Sequence, residues 1–125
     1  MNMQEAFDKV WERFVVEGRP ASVRVVNGTK RCKYRGPRGA RCAVGLLISG
    51  DEYRPEMEGK SAGELVEAFD PPSLRALDCN FLEDLQNAHD DAATWPSYKK
   101  GRGFRDRIAH RLRTVAETYG IEVKW

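Results

Sequence analysis

The sequence contains few of the residues that build metal sites and disulfide frameworks, with only three cysteines and two histidines among 125 residues. The cysteines are widely spaced and odd in number, which argues against structural disulfides. Four soft metal ligands are nonetheless available, namely Cys32, Cys42, Cys79 and His89. Because their spacing lacks the short knuckle of recognisable zinc sites, we expect reduced thiols, no metal and no cofactor.

Long apolar runs are absent as well. The longest is Cys42–Ile48, far below the roughly 18 residues that a membrane span requires. Residues 1–10 do not follow the pattern of a secretion signal. These absences predict a cytoplasmic protein with no membrane partner. The length suits one core, and no repeat or linker interrupts the chain, so a single domain covering residues 1–125 is predicted.

Charge of either sign is plentiful but segregated, although the net charge is only +2. Residues 1–50 hold ten Lys or Arg against four Asp or Glu, and residues 51–91 hold three against twelve. Residues 92–125 hold eight against three. Such asymmetry indicates either a face for a polyanion or ion pairs between the blocks.

Hydrophobic periodicity predicts several helices. Residues 3–18 and 104–119 carry apolar side chains at three- and four-residue steps, which is typical of amphipathic helices. Shorter helices are predicted at residues 41–48, after a capping box at 61–64, and after a similar cap at 80–83. For residues 41–48 a buried strand is the alternative, and helical spacing of the apolar residues favours the helix. Gly45, inside the first of these, indicates close approach of another backbone.

A β-hairpin is predicted around Asn27-Gly28, a dipeptide that favours a two-residue type I′ turn. Its strands would be residues 22–26 and about 29–34, and the alternating residues 121–125 could add an edge. We therefore predict an α+β fold, a single small domain with about four helices packed around a β-hairpin or small antiparallel sheet. The expected core includes Phe7, Trp11, Phe14, Leu46, Leu85, Ile108 and Leu112.

Cations are concentrated in the returning strand and the turn after it, where residues 30–41 contain no acid. Such side chains can neutralise phosphates, and an exposed aromatic beside them can stack on bases. The predicted partner-binding residues are Lys30, Arg31, Lys33, Tyr34, Arg35, Arg38, Arg41, Lys99, Lys100 and Arg102. Since no recognised nucleic-acid motif accompanies them, an acidic protein surface is an equally good partner.

Cys42 offers a different chemistry. It follows Arg41 and would lie in the first turn of a helix, where the helix dipole and a neighbouring cation both lower the pKa of a thiol. His89 could then serve as the base and Asp90 as the carboxylate that orients it. A cysteine-dependent enzyme is therefore an alternative, against the simpler interpretation that Cys42 is a small buried hydrophobic residue.

Four stretches of the chain form a recognisable set. They are Cys32-x-Tyr34-Arg35-Gly36-Pro37, Arg41-Cys42-Ala43-Val44-Gly45-Leu46-Leu47-Ile48, Met57-Glu58-Gly59-Lys60-Ser61 and Leu85-Gln86-x-x-His89-Asp90. In these, together with an N-terminal helix starting Gln4-Glu5-x-Phe7-Asp8, the chain resembles a group of small proteins encoded by bacteriophages, prophages and other mobile elements. The resemblance implies a binding protein in the cytoplasm of a bacterial host, inhibiting a host defence complex as anti-CRISPR proteins do. Its implied partner is a host defence protein or nucleoprotein complex, contacted through the basic hairpin. A protein that binds nucleic acid alone is a further alternative.

Overall fold

The computed structural model describes residues 1–95 and 103–123. These residues form five α-helices and one two-stranded antiparallel sheet, which confirms the predicted α+β class. The elements are α1 Met3–Trp11, β1 Val23–Val26, β2 Thr29–Cys32, α2 Ala43–Leu47, α3 Ala62–Phe69, α4 Cys79–Ala93 and α5 Phe104–Tyr119. Among the described residues, none of the helices is both long enough and apolar enough to cross a membrane.

α1 begins at a capping box, because the Asn2 side chain accepts the Glu5 N–H at 2.8 Å and the Glu5 carboxylate accepts the Asn2 N–H at 3.1 Å. The helix widens into a π-helical turn over Glu12–Val16. The chain then leaves through Gly18, in the left-handed region with φ +66°. The face predicted from periodicity is buried, through Phe7, Val10, Trp11 and Phe14.

α4 and α5 pack along each other and carry much of the core, with Leu85, Ile108 and Leu112 wholly buried. α5 has the predicted bounds. The predicted cap of α4 at residues 80–83 is wrong, because Asp78 accepts the Phe81 N–H at 3.1 Å and caps the helix instead. That start leaves the apolar residues 77 and 82, both buried, in the positions of a hydrophobic staple.

α2 confirms the predicted helix after the basic segment, but it buries a different leucine. Leu46 is only half-buried, whereas Val44 and Leu47 lie in the core. The whole element is five residues long, so its N-terminal anchor at Cys42 sets which side chains face inward.

The hairpin has the predicted turn, with Asn27 and Gly28 at φ +50° and +76°. Its register runs from Val26 opposite Thr29 to Val23 opposite Cys32. The predicted edge strand at residues 121–125 is not formed over residues 121–123, and the last two lie outside the described part. Instead the Gln4 side chain donates to the Glu122 carbonyl at 2.9 Å and accepts the Glu122 N–H at 3.0 Å, so this backbone pairs with α1 rather than with the sheet.

Candidate functional site

The hairpin β1–β2 projects a concentration of positive charge. Arg24, Lys30 and Arg31 are all exposed, and Val25 is 63% exposed. The register places Arg24 directly opposite Arg31. Like charges in this position destabilise an antiparallel pair. Folding therefore gains nothing from this arrangement of cations.

The acidic block, residues 51–91, forms no ion pairs with these cations in the described part of the chain. Within residues 1–95 and 103–123, no carboxylate lies within ion-pair distance of Arg24, Lys30, Arg31 or Lys33. Glu58, from the acidic block, instead binds the main chain just after the hairpin. The segregated charge could reflect ion pairs between the blocks or a face for a polyanion. The cations in the described part of the hairpin do not show such ion pairs.

A groove of about 480 Å³ lies beside the hairpin, between β2, the start of α3 and α4. Four cations contribute to its lining, from Lys30, Arg31, Lys33 and Lys60. Glu83 and Asp90 also line it, together with Cys32. The groove therefore continues the cationic surface of the hairpin inward to a cluster of polar side chains on α4.

His89 is wholly buried and hydrogen-bonded at both ring nitrogens. The backbone N–H of Ser22 donates to Nε2 at 3.0 Å, and Nδ1 lies 2.9 Å from the Asp90 carboxylate. A backbone N–H can only donate, so Nε2 must be the acceptor and Nδ1 must carry the proton. The rings of Phe14 and Phe104 enclose the imidazole, with centroids 5.4 and 5.7 Å away. The ring is held as one neutral tautomer with no lone pair to spare.

Cys32 joins His89 and Asp90 in a cluster, with one potential ligand atom from each lying within 4.8 Å of the others. The sequence analysis paired His89 with Asp90 but did not indicate that Cys32 lies beside them. The four-ligand set considered from the sequence is not assembled among the described residues, since the cluster contains neither Cys42 nor Cys79. Burial and the hydrogen bond to Asp90 raise the pKa of Cys32 to about 12. Because the imidazole has no free lone pair, the three side chains form a hydrogen-bonded cluster and not a metal-ligand set.

Cys42 is buried and anchors α2, where its Sγ accepts the Gly45 N–H at 3.3 Å. Burial raises the pKa of the thiol, opposite in direction to the lowering expected from a helix start beside Arg41. Gln86 links this region to the cluster, because it accepts the Val44 N–H at 3.0 Å and donates to Asp90 at 2.8 Å. Both ring nitrogens of His89 are already engaged in hydrogen bonds. The cysteine-dependent alternative therefore has no free imidazole at His89 to serve as its base.

Thiol labelling at about pH 8 should therefore modify Cys79 quickly, Cys32 slowly and Cys42 only after unfolding. A thiol with a pKa of about 12 is ionised to roughly one part in ten thousand at that pH, and the thiolate is the reacting species. Stopped-flow labelling with an aromatic disulfide, followed by peptide mapping, measures the order. The Cys79→Ser variant should lose the fast phase. Fast labelling of Cys42 in folded Cys79→Ser would restore the enzyme hypothesis.

The other predicted contact residues differ in their surroundings. Tyr34 is 5% exposed and its hydroxyl donates to the Lys60 carbonyl at 2.6 Å, so its ring is not available to stack on bases. Arg38 is exposed in the turn after the hairpin. Arg35 and Arg41 are half-buried on either side of that turn. The remaining predicted residues, Lys99, Lys100 and Arg102, lie outside the described part of the chain.

Comparison of the chain with protein-family models, with curated proteins and with solved structures gives no match. The resemblance to proteins of phages and other mobile elements therefore stays a prediction. The function has to be inferred from the surface itself.

Proposed function

We propose that this protein binds the phosphate backbone of a double-stranded nucleic acid through its hairpin, using Arg24, Lys30, Arg31 and Lys33 as the hairpin cations. The observation that supports this most is their lack of carboxylate partners in residues 1–95 and 103–123, combined with the Arg24–Arg31 pairing. Repulsion between like charges is relieved when phosphates neutralise them and release counterions.

The shape of the element favours a duplex over a single strand. A two-stranded antiparallel ribbon fits the major groove of DNA, which is about 12 Å wide. Binding of single strands typically depends on exposed aromatic rings as stacking platforms. Neither strand of the hairpin contains an aromatic residue, and the nearby Tyr34 is buried. In the setting that the resemblance predicts, the duplex belongs to a host defence nucleoprotein of CRISPR–Cas type, which the protein inhibits by occupying it.

The test is charge reversal on the hairpin. The triple variant Arg24→Glu, Lys30→Glu and Arg31→Glu should bind a labelled duplex of roughly 16 base pairs at least about 100-fold more weakly at about 50 mM salt, measured by fluorescence anisotropy. For the wild type, about four phosphate contacts predict a slope of roughly −3 to −4 in a plot of log affinity against log salt concentration. Each side chain replaced is exposed, so the fold should survive and the helical circular dichroism should not change.

A matched control changes the net charge equally at exposed positions elsewhere, through Lys9→Glu, Arg54→Glu and Arg75→Glu. This control variant should retain its affinity for the duplex within about fivefold, because its hairpin cations are unchanged. Equal losses in the two triple variants would rule out a hairpin interface. Binding to polyglutamate but not to the duplex would assign the partner to acidic proteins.

In cells carrying a CRISPR–Cas system, the wild type should restore plaque formation by a targeted phage and the hairpin variant should not.

A further inference from the structure

We propose that Arg13, Arg35 and Arg41 form a discrete site for one phosphate group, separate from the hairpin cations and beyond the function proposed above. The three come from two parts of the chain. Arg13 lies in the π-helical turn after α1, and the other two flank the turn at residues 36–40. The guanidinium groups of Arg13 and Arg41 both bind main-chain carbonyls of that turn.

The turn itself brings two of the arginines together. Arg35 and Arg41 are directly paired in an isolated antiparallel bridge. Side chains of residues paired in this way project to the same face, with Cβ atoms about 5 Å apart. As in the hairpin, the pair consists of like charges, which is unfavourable for folding alone.

Hydrogen bonds to main-chain carbonyls fix the guanidinium groups. Arg13 Nη2 donates to the Gly39 carbonyl and Arg41 Nη1 to the Ala40 carbonyl, each at 3.1 Å. Both charged groups are thus hydrogen-bonded to the same turn, and the charge of Arg41 acts on Arg13. Arg35 Nη2 donates to a third carbonyl, that of Ile48, at 3.1 Å. Its guanidinium carbon lies over the Tyr53 ring, 4.9 Å from the ring centroid. Each side chain keeps further N–H groups for a ligand.

The three arginines repel one another without a directly paired carboxylate in the described part of the chain. Partial burial lowers the pKa of Arg13 and of Arg35. Neighbouring cations lower both further, Arg19 and Arg41 for Arg13 and Arg41 for Arg35, whereas Glu17 acts on Arg13 and Glu58 on Arg35 in the opposite direction. Among residues 1–95 and 103–123, no carboxylate lies within ion-pair distance of any of the three arginines. The Nε atoms of Arg13 and Arg35 are buried with no acceptor in the described part of the chain. The described part of the chain therefore gives the three arginines no direct ion pair and leaves two of their buried donors without an acceptor.

An oxyanion matches these requirements. Planar guanidinium forks bind phosphate in bidentate geometry, and charge-assisted hydrogen bonds of this kind are roughly twice as strong as neutral ones. The phosphate could be a free or monoester group, or a diester of a nucleic-acid backbone. The two sources differ in charge and can be separated with small probes.

The experiment is thermal unfolding of the wild type and of Arg41→Gln in chloride, in about 20 mM inorganic phosphate and in about 20 mM dimethyl phosphate, all at equal ionic strength. A site of millimolar affinity should raise the Tm of the wild type by about 4 °C in phosphate, rising with the logarithm of its concentration. Arg41→Gln should show no such rise. In chloride it should unfold at the same temperature as the wild type or higher, because the substitution removes repulsion from two neighbouring arginines.

Three further variants make the outcomes decisive. Arg54→Gln, at an exposed position outside both surfaces, should keep the whole response. A response to dimethyl phosphate as well would identify a diester ligand, and a response to inorganic phosphate alone a free or monoester one. Equal phosphate responses in the wild type and Arg41→Gln overturn the site, as does loss of the response in Arg24→Gln with retention in Arg41→Gln, which would move phosphate to the hairpin. If Arg41→Gln does not fold, Arg13→Gln is judged by the same criterion.

Discussion

Replacing Gly45 with alanine should lower the free energy of unfolding by about 3 kcal/mol or more, which is a large part of the 5–15 kcal/mol typical of a small domain. A Cβ atom at this position would lie 2.0 Å from the carbonyl oxygen of Tyr34 and 2.7 Å from its carbonyl carbon. Both are main-chain atoms, so no side-chain rotation relieves the overlap. α2 would have to move away from the segment that follows the hairpin, opening the core at Val44 and Leu47.

Urea unfolding monitored by circular dichroism measures this effect. Gly50→Ala is the matched control, because a Cβ atom there meets nothing within 4 Å. It should change the free energy of unfolding by no more than about 0.5 kcal/mol. A Gly45→Ala protein within about 1 kcal/mol of the wild type would contradict the close packing of α2 on residue 34.

Glu58→Ala should be the second most damaging of the substitutions considered, with a loss of about 3 kcal/mol in the free energy of unfolding. One carboxylate oxygen accepts the Tyr34 N–H at 2.9 Å, and the other accepts the Arg35 N–H at 3.1 Å and the Tyr53 hydroxyl at 2.7 Å. Hydrogen bonds to a charged acceptor are worth roughly 1.5–3 kcal/mol each, and donors left without an acceptor add a desolvation cost. The segment that leads from the hairpin into the turn at residues 36–40 would lose the carboxylate that binds its main-chain N–H groups.

Two comparisons check this interpretation. Glu56→Ala, at an exposed position in the same connector, should be nearly neutral, and Glu58→Gln should fall between Glu58→Ala and the wild type. Burial and the hydrogen bond to Glu58 raise the pKa of Tyr53 to about 12. In Glu58→Ala that pKa should move back toward the ordinary value of about 10, as measured by ultraviolet titration of tyrosine. An unchanged Tyr53 titration would show that the carboxylate does not hold this contact.

Gly45 and Glu58 show why some contacts could be predicted from a short stretch of sequence and others could not. Gly45 could be singled out because a glycine within an apolar run indicates close approach, and the structure places Tyr34 there. Nothing in the order of residues indicated that Glu58 would bind the main chain at residues 34 and 35. That contact depends on how the acidic connector crosses the end of the hairpin.

Local chemistry determined the predictions that the structure confirms. The hairpin turn follows from the positive φ that Asn27-Gly28 tolerates, and the capping box at residues 61–64 from hydrogen bonds within one turn. α5 follows from apolar spacing over sixteen residues. The cap of α4 predicted at residues 80–83 was wrong, because Asp78 caps the helix and the apolar residues 77 and 82 are buried beside that start.

The sequence alone therefore determined the fold class, the hairpin and its concentration of positive charge, because each depends on the types and spacing of residues close together in the chain. Only the tertiary structure decided which cations remain without a carboxylate, since ion pairs depend on how distant blocks meet. It also placed the backbone N–H of Ser22 on Nε2 of His89, buried Cys42, and brought Arg13 to the turn that precedes Arg41. Those outcomes depend on desolvation and on contacts between residues far apart in the chain, and they carry both proposed binding surfaces.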